Sequence, residues 1–265
     1  MQLNMDTEPG RSYRSNAQRA RVITETWMEK NGYCPCCGNS NLEKLPNNRP
    51  VADFVCGRCG RIFELKAHKK RIPDRVIDGE FHTMIKRIHE DTNPDFFFMA
   101  YDEEGFSVND LMLVPRAFVT DRVIQARTPL SNKARRAGWT GCNILLQNVP
   151  DAGKIHLIRN QSEIDKGSVY EKMQCAMKLE TEDVFARTWT SEVLHCIQRV
   201  GGEFTLLQMY GFEDELSVLY PSNHNVRAKI RQQLQVLRDS GYIIFLGNGR
   251  YRKTKRIEGE NYGRI

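Results

Sequence analysis

Apolar positions along the chain fall into two regimes. In the first half they come as short unbroken runs: Asp95 is followed by FFFMAY, Asp110 by LMLVP, Asn143 by ILLQ and Lys154 by IHLI. Runs of this length between polar and turn residues predict buried strands. Two stretches instead repeat at helical spacing. From Ser15 or Asn16, either of which can cap a helix, to about Lys30, the residues Ala20, Ile23, Thr24 and Trp27 share a face, and Gly32 is the stop. From Asp78 to Glu90, Phe81, Met84, Ile85 and Ile88 lie at core spacing, and Asn93-Pro94 ends the run. Strands and helices in this order predict a mixed α/β (α+β) sheet flanked by helices. Residues 1–14 read as an unanchored leader, 67–75 as a basic loop, and 160–187, charged and without period, as a linker with room for a short helix.

From Trp189 the pattern changes. Trp189–Val200 is helical, with Val193, Leu194 and Ile197 apolar and Gly201-Gly202 as the stop. Phe204–Tyr210 begins a second helix with Thr205 as its cap. Asn223 caps a third, which runs to about Asp239 with Val226, Ile230, Leu234 and Leu237 inside and Gly241 at its end. Tyr242 then opens a hairpin around Asn248-Gly249, a dipeptide suited to a type I′ turn. Three helices followed by a β-ribbon predict a winged helix, whose third helix is the recognition helix. The expected organisation is a first domain over 1–181, a winged-helix domain over 182–256 and a disordered tail over 257–265.

Composition adds limits. A chain of 265 residues admits one large or two modest domains, and 40% hydrophobic with 27% charged residues is ordinary for a globular protein. No apolar run is long enough for a membrane span, and the N-terminus has no apolar signal core, so a cytoplasmic protein is expected. Formal charge is +6, and the excess is local. Residues 222–256 carry nine Lys and Arg against Asp239 alone, so this stretch exceeds the net charge of the whole chain. One sign concentrated on one helix and its wing predicts contact with phosphates.

Four of the eight cysteines stand in two Cys-x-x-Cys turns, Cys34 to Cys37 and Cys56 to Cys59, each followed by glycine. Two such turns close a tetrahedral four-thiolate zinc site, which leaves no open position for chemistry. Cys34 and Cys37 are read as the ligands of the first turn, with Cys36 a bystander able to substitute. Cys142, Cys175 and Cys196 are isolated and read as small core residues.

The second turn is framed by chemistry-bearing residues. Asp53 precedes it, and Glu64-Leu65-Lys66 follows it. Alternation along a strand puts Glu64 and Lys66 on one face. Two carboxylates and an amine suit a divalent metal bound through hard oxygens and a water nucleophile. The spacing is that of the PD-(D/E)xK nucleases, without the usual proline directly before the aspartate. The second knuckle then sits at the tip of a hairpin whose arms carry the site, so zinc is scaffold and a second metal, Mg²⁺, does the chemistry. Lys69 and Lys70 follow, either as part of a solvated loop or, beside a phosphate-cleaving site, as contacts to phosphates. Farther on, Lys133-Ala-Arg-Arg-Ala-Gly-Trp139 sets a tryptophan in a basic loop, where it is either a core plug, the simpler reading, or a residue that packs against bases.

The runs NNRPVADFVC and FELK, the knuckle CPCCGN, and the segments ARRAGWTGCNI and KIRQQLQVLRDSGYI together resemble the DpnI-type methyl-directed restriction endonucleases over nearly the whole chain. The resemblance implies a PD-(D/E)xK domain with a four-cysteine zinc site and a C-terminal winged helix. It implies cleavage of double-stranded GATC carrying N6-methyladenine. Asp53 and Glu64 would hold Mg²⁺ with the Leu65 carbonyl, and Lys66 would be the catalytic lysine. Arg135, Arg136 and Trp139 would approach the methylated bases. Asn223, His224, Arg227, Lys229, Arg231 and Gln232, with Arg250 and Arg252 on the wing, would meet DNA. No heptad predicts a dimer, so a monomer is expected.

One buried methyl is worth about 0.8 kcal/mol by transfer and roughly 10- to 200-fold in a shaped pocket. That is little for an enzyme that must spare unmethylated DNA, so the winged helix is expected to be a second methyl reader. Two other functions compete: a zinc-ribbon and winged-helix regulator in which Glu64 and Lys66 are surface residues, and a nuclease with another DNA target. Mg²⁺-dependent cleavage lost in Asp53→Ala separates the first, and strict GATC dependence the second.

Overall fold

The computed structural model describes residues 1–46, 52–90, 92–181 and 183–257. Pro50, the predicted boundary at 182 and the predicted tail beyond Ile257 lie outside these residues. Ile257 itself is buried rather than part of a tail.

The chain begins with α1 (Asn16–Asn31), β1 (Glu43–Lys44), β2 (Phe54–Val55), β3 (Ile62–Lys69), β4 (Arg75–Glu80) and α2 (Phe81–His89). β5 (Asp95–Asp102), β6 (Ser107–Val114), β7 (Ile124–Ala126), β8 (Gly141–Leu145), β9 (Ile155–Arg159), β10 (Ser162–Glu163) and α3 (Lys166–Met177) follow. A seven-stranded sheet runs β1-β2-β3-β5-β6-β9-β10, parallel only between β3 and β5. A second sheet, β4-β8-β7, is antiparallel. The expected mixed α/β architecture is therefore present.

The large sheet carries a core on each face, which is why its central strands read as unbroken apolar runs. On β5, Phe97 and Met99 join Ile23 and Trp27 of α1 and Val169 and Met173 of α3. Phe96 and Phe98 point the other way, to α2, the second sheet and the C-terminal helices. In α1, Gly32 stops the helix by close approach. Its backbone is extended, and a Cβ there would stand 2.4 Å from the Met28 carbonyl oxygen.

Several sequence expectations change. The leader is anchored: the Met5 N–H bonds the Phe106 carbonyl at 2.7 Å, and the Trp27 indole bonds the Gln2 carbonyl at 2.8 Å. Alternating Met1, Leu3 and Met5 give it an apolar edge. The predicted linker holds α3, which Asp165 caps by accepting from the Ser168 N–H at 2.8 Å. Val169, Met173 and Ala176 supply its buried stripe. The helix predicted from Asp78 begins at Phe81, because Glu80 caps it through His82 and Thr83. Residues 75–80 are strand, and the basic loop shrinks to the few residues between Lys69 and Arg75.

There follow α4 (Val184–Gln198), β11 (Glu203–Thr205), α5 (Leu206–Tyr210), α6 (Glu213–Leu219), α7 (Val226–Asp239), β12 (Ile243–Gly247) and β13 (Arg250–Lys253). α4 starts earlier than predicted because Asp183 caps it, accepting from the Phe185 and Ala186 amides. Thr205 forms a capping box with Gln208, as its sequence allows, while Phe204 belongs to the small sheet β11-β13-β12. Asn223 does not cap α7; its side chain accepts from the Asn225 N–H at 2.9 Å, a turn that precedes the helix. Positive φ at Asn248 and Gly249 makes the expected tight turn. No described helix is long and apolar enough to cross a membrane.

Candidate nuclease site and nucleic-acid interface

The two knuckles are built alike. In each, the glycine after the second cysteine has φ +72° and returns its N–H to the first cysteine's carbonyl: Gly38 to Cys34 at 2.9 Å, Gly60 to Cys56 at 2.8 Å. Together they bring the Sγ atoms of Cys34, Cys37, Cys56 and Cys59 within 4.8 Å of one another. Cys34 lies 3.6 Å from Cys59, and Cys37 the same distance from Cys56. Four ligands at about 2.3 Å from a tetrahedral zinc stand roughly 3.8 Å apart, so the cluster fits that ion. Burial works against the Cys56 thiolate, but the Cys59 and Arg58 amides and the Asn39 side chain bring its pKa down to about 6. Cys36 lies outside the cluster: its side chain is buried, and its carbonyl accepts from Gln174 of α3 at 2.9 Å.

Zinc position and candidate active site are joined by a short ladder. β2 pairs with β3 only through Phe54 with Phe63 and Val55 with Ile62. Just before β2, the Asp53 N–H bonds the Phe63 carbonyl at 2.9 Å, and its Oδ2 accepts the Leu65 N–H at 2.8 Å. A strand residue projects its N–H and C=O to the same side. The Leu65 carbonyl therefore faces Asp53 rather than β5. The hairpin thus holds Asp53 beside Glu64-Leu65-Lys66, as the sequence predicted.

Lys66 Nζ bonds Glu64 Oε1 and, at 2.5 Å, Asp78 Oδ1. Asp78 comes from β4 and escaped sequence reading, which placed it at the start of a helix. Burial raises the pKa of both Asp53 and Glu64, the latter to about 7, despite the nearby lysine. Burial works against the Lys66 charge too, but Glu64 and Asp78 hold its pKa above the ordinary range. One oxygen of Glu64 and one of Asp78 are buried without a hydrogen-bond partner. Glu64 and Asp78 flank the one amine with Asp53 nearby, but among the described residues the oxygens of the three do not converge as the four thiolates do. Hard carboxylate oxygens are the donor type that a divalent cation such as Mg²⁺ takes. Behind them, Arg21 of α1 reaches to 3.9 Å from Asp53 and pairs with buried Glu25.

The Trp139 loop adjoins this cluster. In the second sheet Asp78 lies opposite Cys142 and Glu80 opposite Gly141, and the Phe81 N–H bonds the Thr140 carbonyl at 3.0 Å. Trp139 is half-buried and not a core plug: its ring covers Gly141 and carries the Arg136 guanidinium 4.6 Å from its centroid. Arg135 and Arg136 are exposed. Lys69 is paired with Glu103, while Lys70 is exposed at φ +68°.

On α7 and the turn before it, His224, Arg227, Arg231 and Gln232 are exposed; Asn223 and Lys229 are half-buried. Arg231 donates to the Tyr210 hydroxyl at 2.6 Å, and Arg227 lies over the same ring. The charge count along the chain misses partners in space. Glu213 pairs with Arg227 at 2.7 Å, and Glu203 pairs with both Arg250 and Arg252. Lys253 caps α4 through the Val200 carbonyl at 2.7 Å and so belongs to the fold. Exposed pairs of this kind are worth about 0–1 kcal/mol, which leaves the arginines free to exchange a glutamate for a phosphate.

Two family models match the chain. One, described as DpnI, Dam-replacing family, covers residues 1–182. The other, described as the Dam-replacing HTH domain, covers residues 185–253. The helix-turn-helix match makes DNA the partner.

Proposed function

We propose that this chain, which belongs to the DpnI (Dam-replacing) family, is a methyl-directed restriction enzyme that hydrolyses double-stranded DNA at GATC sites carrying N6-methyladenine. The observation that carries the nuclease reading is the hairpin contact of Asp53 with Leu65 beside the Glu64–Lys66 pair. We assign residues 1–181 to catalysis and 182–256 to DNA binding, acting as a monomer in the cytoplasm.

Asp53, Glu64 and the Leu65 carbonyl would hold Mg²⁺, which when bound supplies an acidified water and charge stabilisation at the phosphate. Lys66 has three N–H donors, so it can hold that water or a phosphate oxygen while still bonded to a carboxylate. Its raised pKa keeps it cationic, which suits it to oppose the charge that develops on the phosphate. The zinc cluster keeps the hairpin in register and takes no part in the reaction. Arg136 and Trp139 face the bases from the first domain. α7 and the wing engage the duplex from the second and read a methyl group again, so two modest discriminations multiply.

The test is a plasmid prepared with and without adenine methylation at GATC and incubated with the protein and Mg²⁺. Cleavage of the methylated sample alone is expected. Cleavage of both discards the methyl requirement, and cleavage of neither by folded, zinc-loaded protein leaves a DNA-binding regulator.

A further inference from the structure

Asp78 has no part in the motif read from the sequence. It lies on β4 of the second sheet, yet its carboxylate meets the lysine of the large sheet. Its side chain is 5% exposed, the Gly79 N–H fixes its Oδ1 at 2.6 Å, and its Oδ2 is buried without a partner. A buried carboxylate is a poor device for stability, because an apolar residue of similar size often does as well. Its value lies in where it holds the amine.

We propose that Asp78 is the positioning residue for Lys66 and links that lysine to the strand system bearing the Trp139 loop. The proposal rests on the nuclease reading above. In the structure Lys66 is shared between Glu64 and Asp78. Glu64 must turn part of its oxygen density toward a metal in order to bind it. Asp78 then becomes the contact that keeps Nζ directed at the site. That contact is mounted on a bulged strand. The register of β4 shifts between Asp78 and Glu80, and the next links run from Glu80 to Gly141 and from Phe81 to Thr140, the residue after Trp139. A loop seated on the correct base therefore sets β4, β4 sets Asp78, and Asp78 sets Lys66. Displacing a catalytic group by about 1 Å can cost 10²-fold in rate.

The test uses the full-length protein and a methylated GATC duplex under single-turnover conditions, with DNA binding measured in Ca²⁺ in place of Mg²⁺. Asp78→Asn is expected to cut about 100-fold more slowly. Its DNA Kd and its Mg²⁺ half-saturation should stay within about threefold of wild type, a split that loss of folding would not produce. Asp78→Glu, which keeps the carboxylate, is expected to recover about tenfold over Asp78→Asn. Lys66→Ala and Lys66→Ala/Asp78→Asn should cut equally, since the aspartate acts through the lysine. The inference is overturned if Asp78→Asn cuts at the wild-type rate, if raised Mg²⁺ restores it (a metal ligand), or if the double variant loses the product of the single effects. Wild-type protein that cuts nothing overturns the nuclease reading and this inference with it; wild-type cutting matched by Asp78→Asn overturns this inference alone.

Discussion

Arg61, two residues after the last zinc-cluster cysteine, is the centre of a buried ion network. It bonds Asp95 through Nε and Nη2, the latter at 2.8 Å, and Glu180 at 2.9 and 2.5 Å. Arg116 closes the ring, its N–H on Asp95 at 2.7 Å and its guanidinium on Glu180. Asp95 has no solvent exposure and opens β5, so the network ties knuckle, sheet and the approach to the second domain. Arg61→Met keeps the stem and removes the charge. Asp95 is then left with one backbone donor, and breaking a buried pair from one side costs about 3–5 kcal/mol. At roughly 2–4 °C per kcal/mol for a chain of this size, calorimetry should show Tm lower by about 10 °C. Arg61→Met/Asp95→Leu removes the stranded charge as well and should regain most of that loss. Acid sharpens the test. Burial opposes the Glu180 charge, but Arg61 and Arg116 hold its pKa below the usual range. Its contribution is thus present above about pH 4.3 and lost as pH falls further. Arg61→Met should destabilise less steeply there than wild type. A loss under about 1 kcal/mol, or a double variant at least as unstable as the single, refutes the reasoning.

Elemental analysis should find one zinc per chain; Cys56→Ser should lose it with the hairpin, whereas Cys36→Ala should keep it, since Cys36 stands outside the thiolate cluster. Asp53→Ala should cut methylated GATC at least about 10²-fold more slowly while binding it normally, as gel-based single-turnover assays and fluorescence anisotropy can check. Glu203→Gln removes the acid shared by Arg250 and Arg252, so titration at several salt concentrations should show a few-fold tighter DNA binding with a salt slope steeper by about one unit. Residues 183–257 alone should prefer methylated over unmethylated GATC duplex, and equal affinity for the two would remove the second methyl reader.

What the sequence conveyed was whatever is local. The zinc turns, the Asp53 and Glu64-Leu65-Lys66 spacing, the buried runs of β5 and β6 and the amphipathic α1 and α7 all depend on neighbours within a few residues, and all stand where the pattern put them. What it withheld depends on distant partners. Asp78 looked like a helix start because Phe81, Met84 and Ile88 follow it at helical spacing, but pairing with β8 across more than sixty residues claims 75–80 as strand. Glu203 and Glu213 fell outside the basic window along the chain and fold back onto it in space. α3 was masked by its charged exposed face, although Asp165 in front of it and Val169, Met173 and Ala176 along it were the available signals.

The position of the zinc cluster follows from how little else holds Asp53. Among the described residues, β2 is two residues long and β3 beyond Phe63 pairs as a strand only with β5. Asp53 is therefore held by its N–H on Phe63, by its carbonyl accepting from Leu45 and by its Oδ2 accepting from Leu65. Two cross-strand pairs contribute about 1 kcal/mol or less each, too little to fix a carboxylate that burial penalises. A four-thiolate zinc contributes on the order of 10 kcal/mol in small peptides and fixes both arms at their shared tip. Arg61, at the exit of the knuckle, then anchors that tip to Asp95 at the start of β5, the strand against which Glu64 and Lys66 lie. Knuckle and network thus act in series, one setting the spacing of the arms and the other their position on the sheet. Loss of either should leave Asp53, Glu64 and Lys66 present and the Asp53–Leu65 contact broken, so on the proposed nuclease reading such variants should lose cleavage well before they lose DNA affinity.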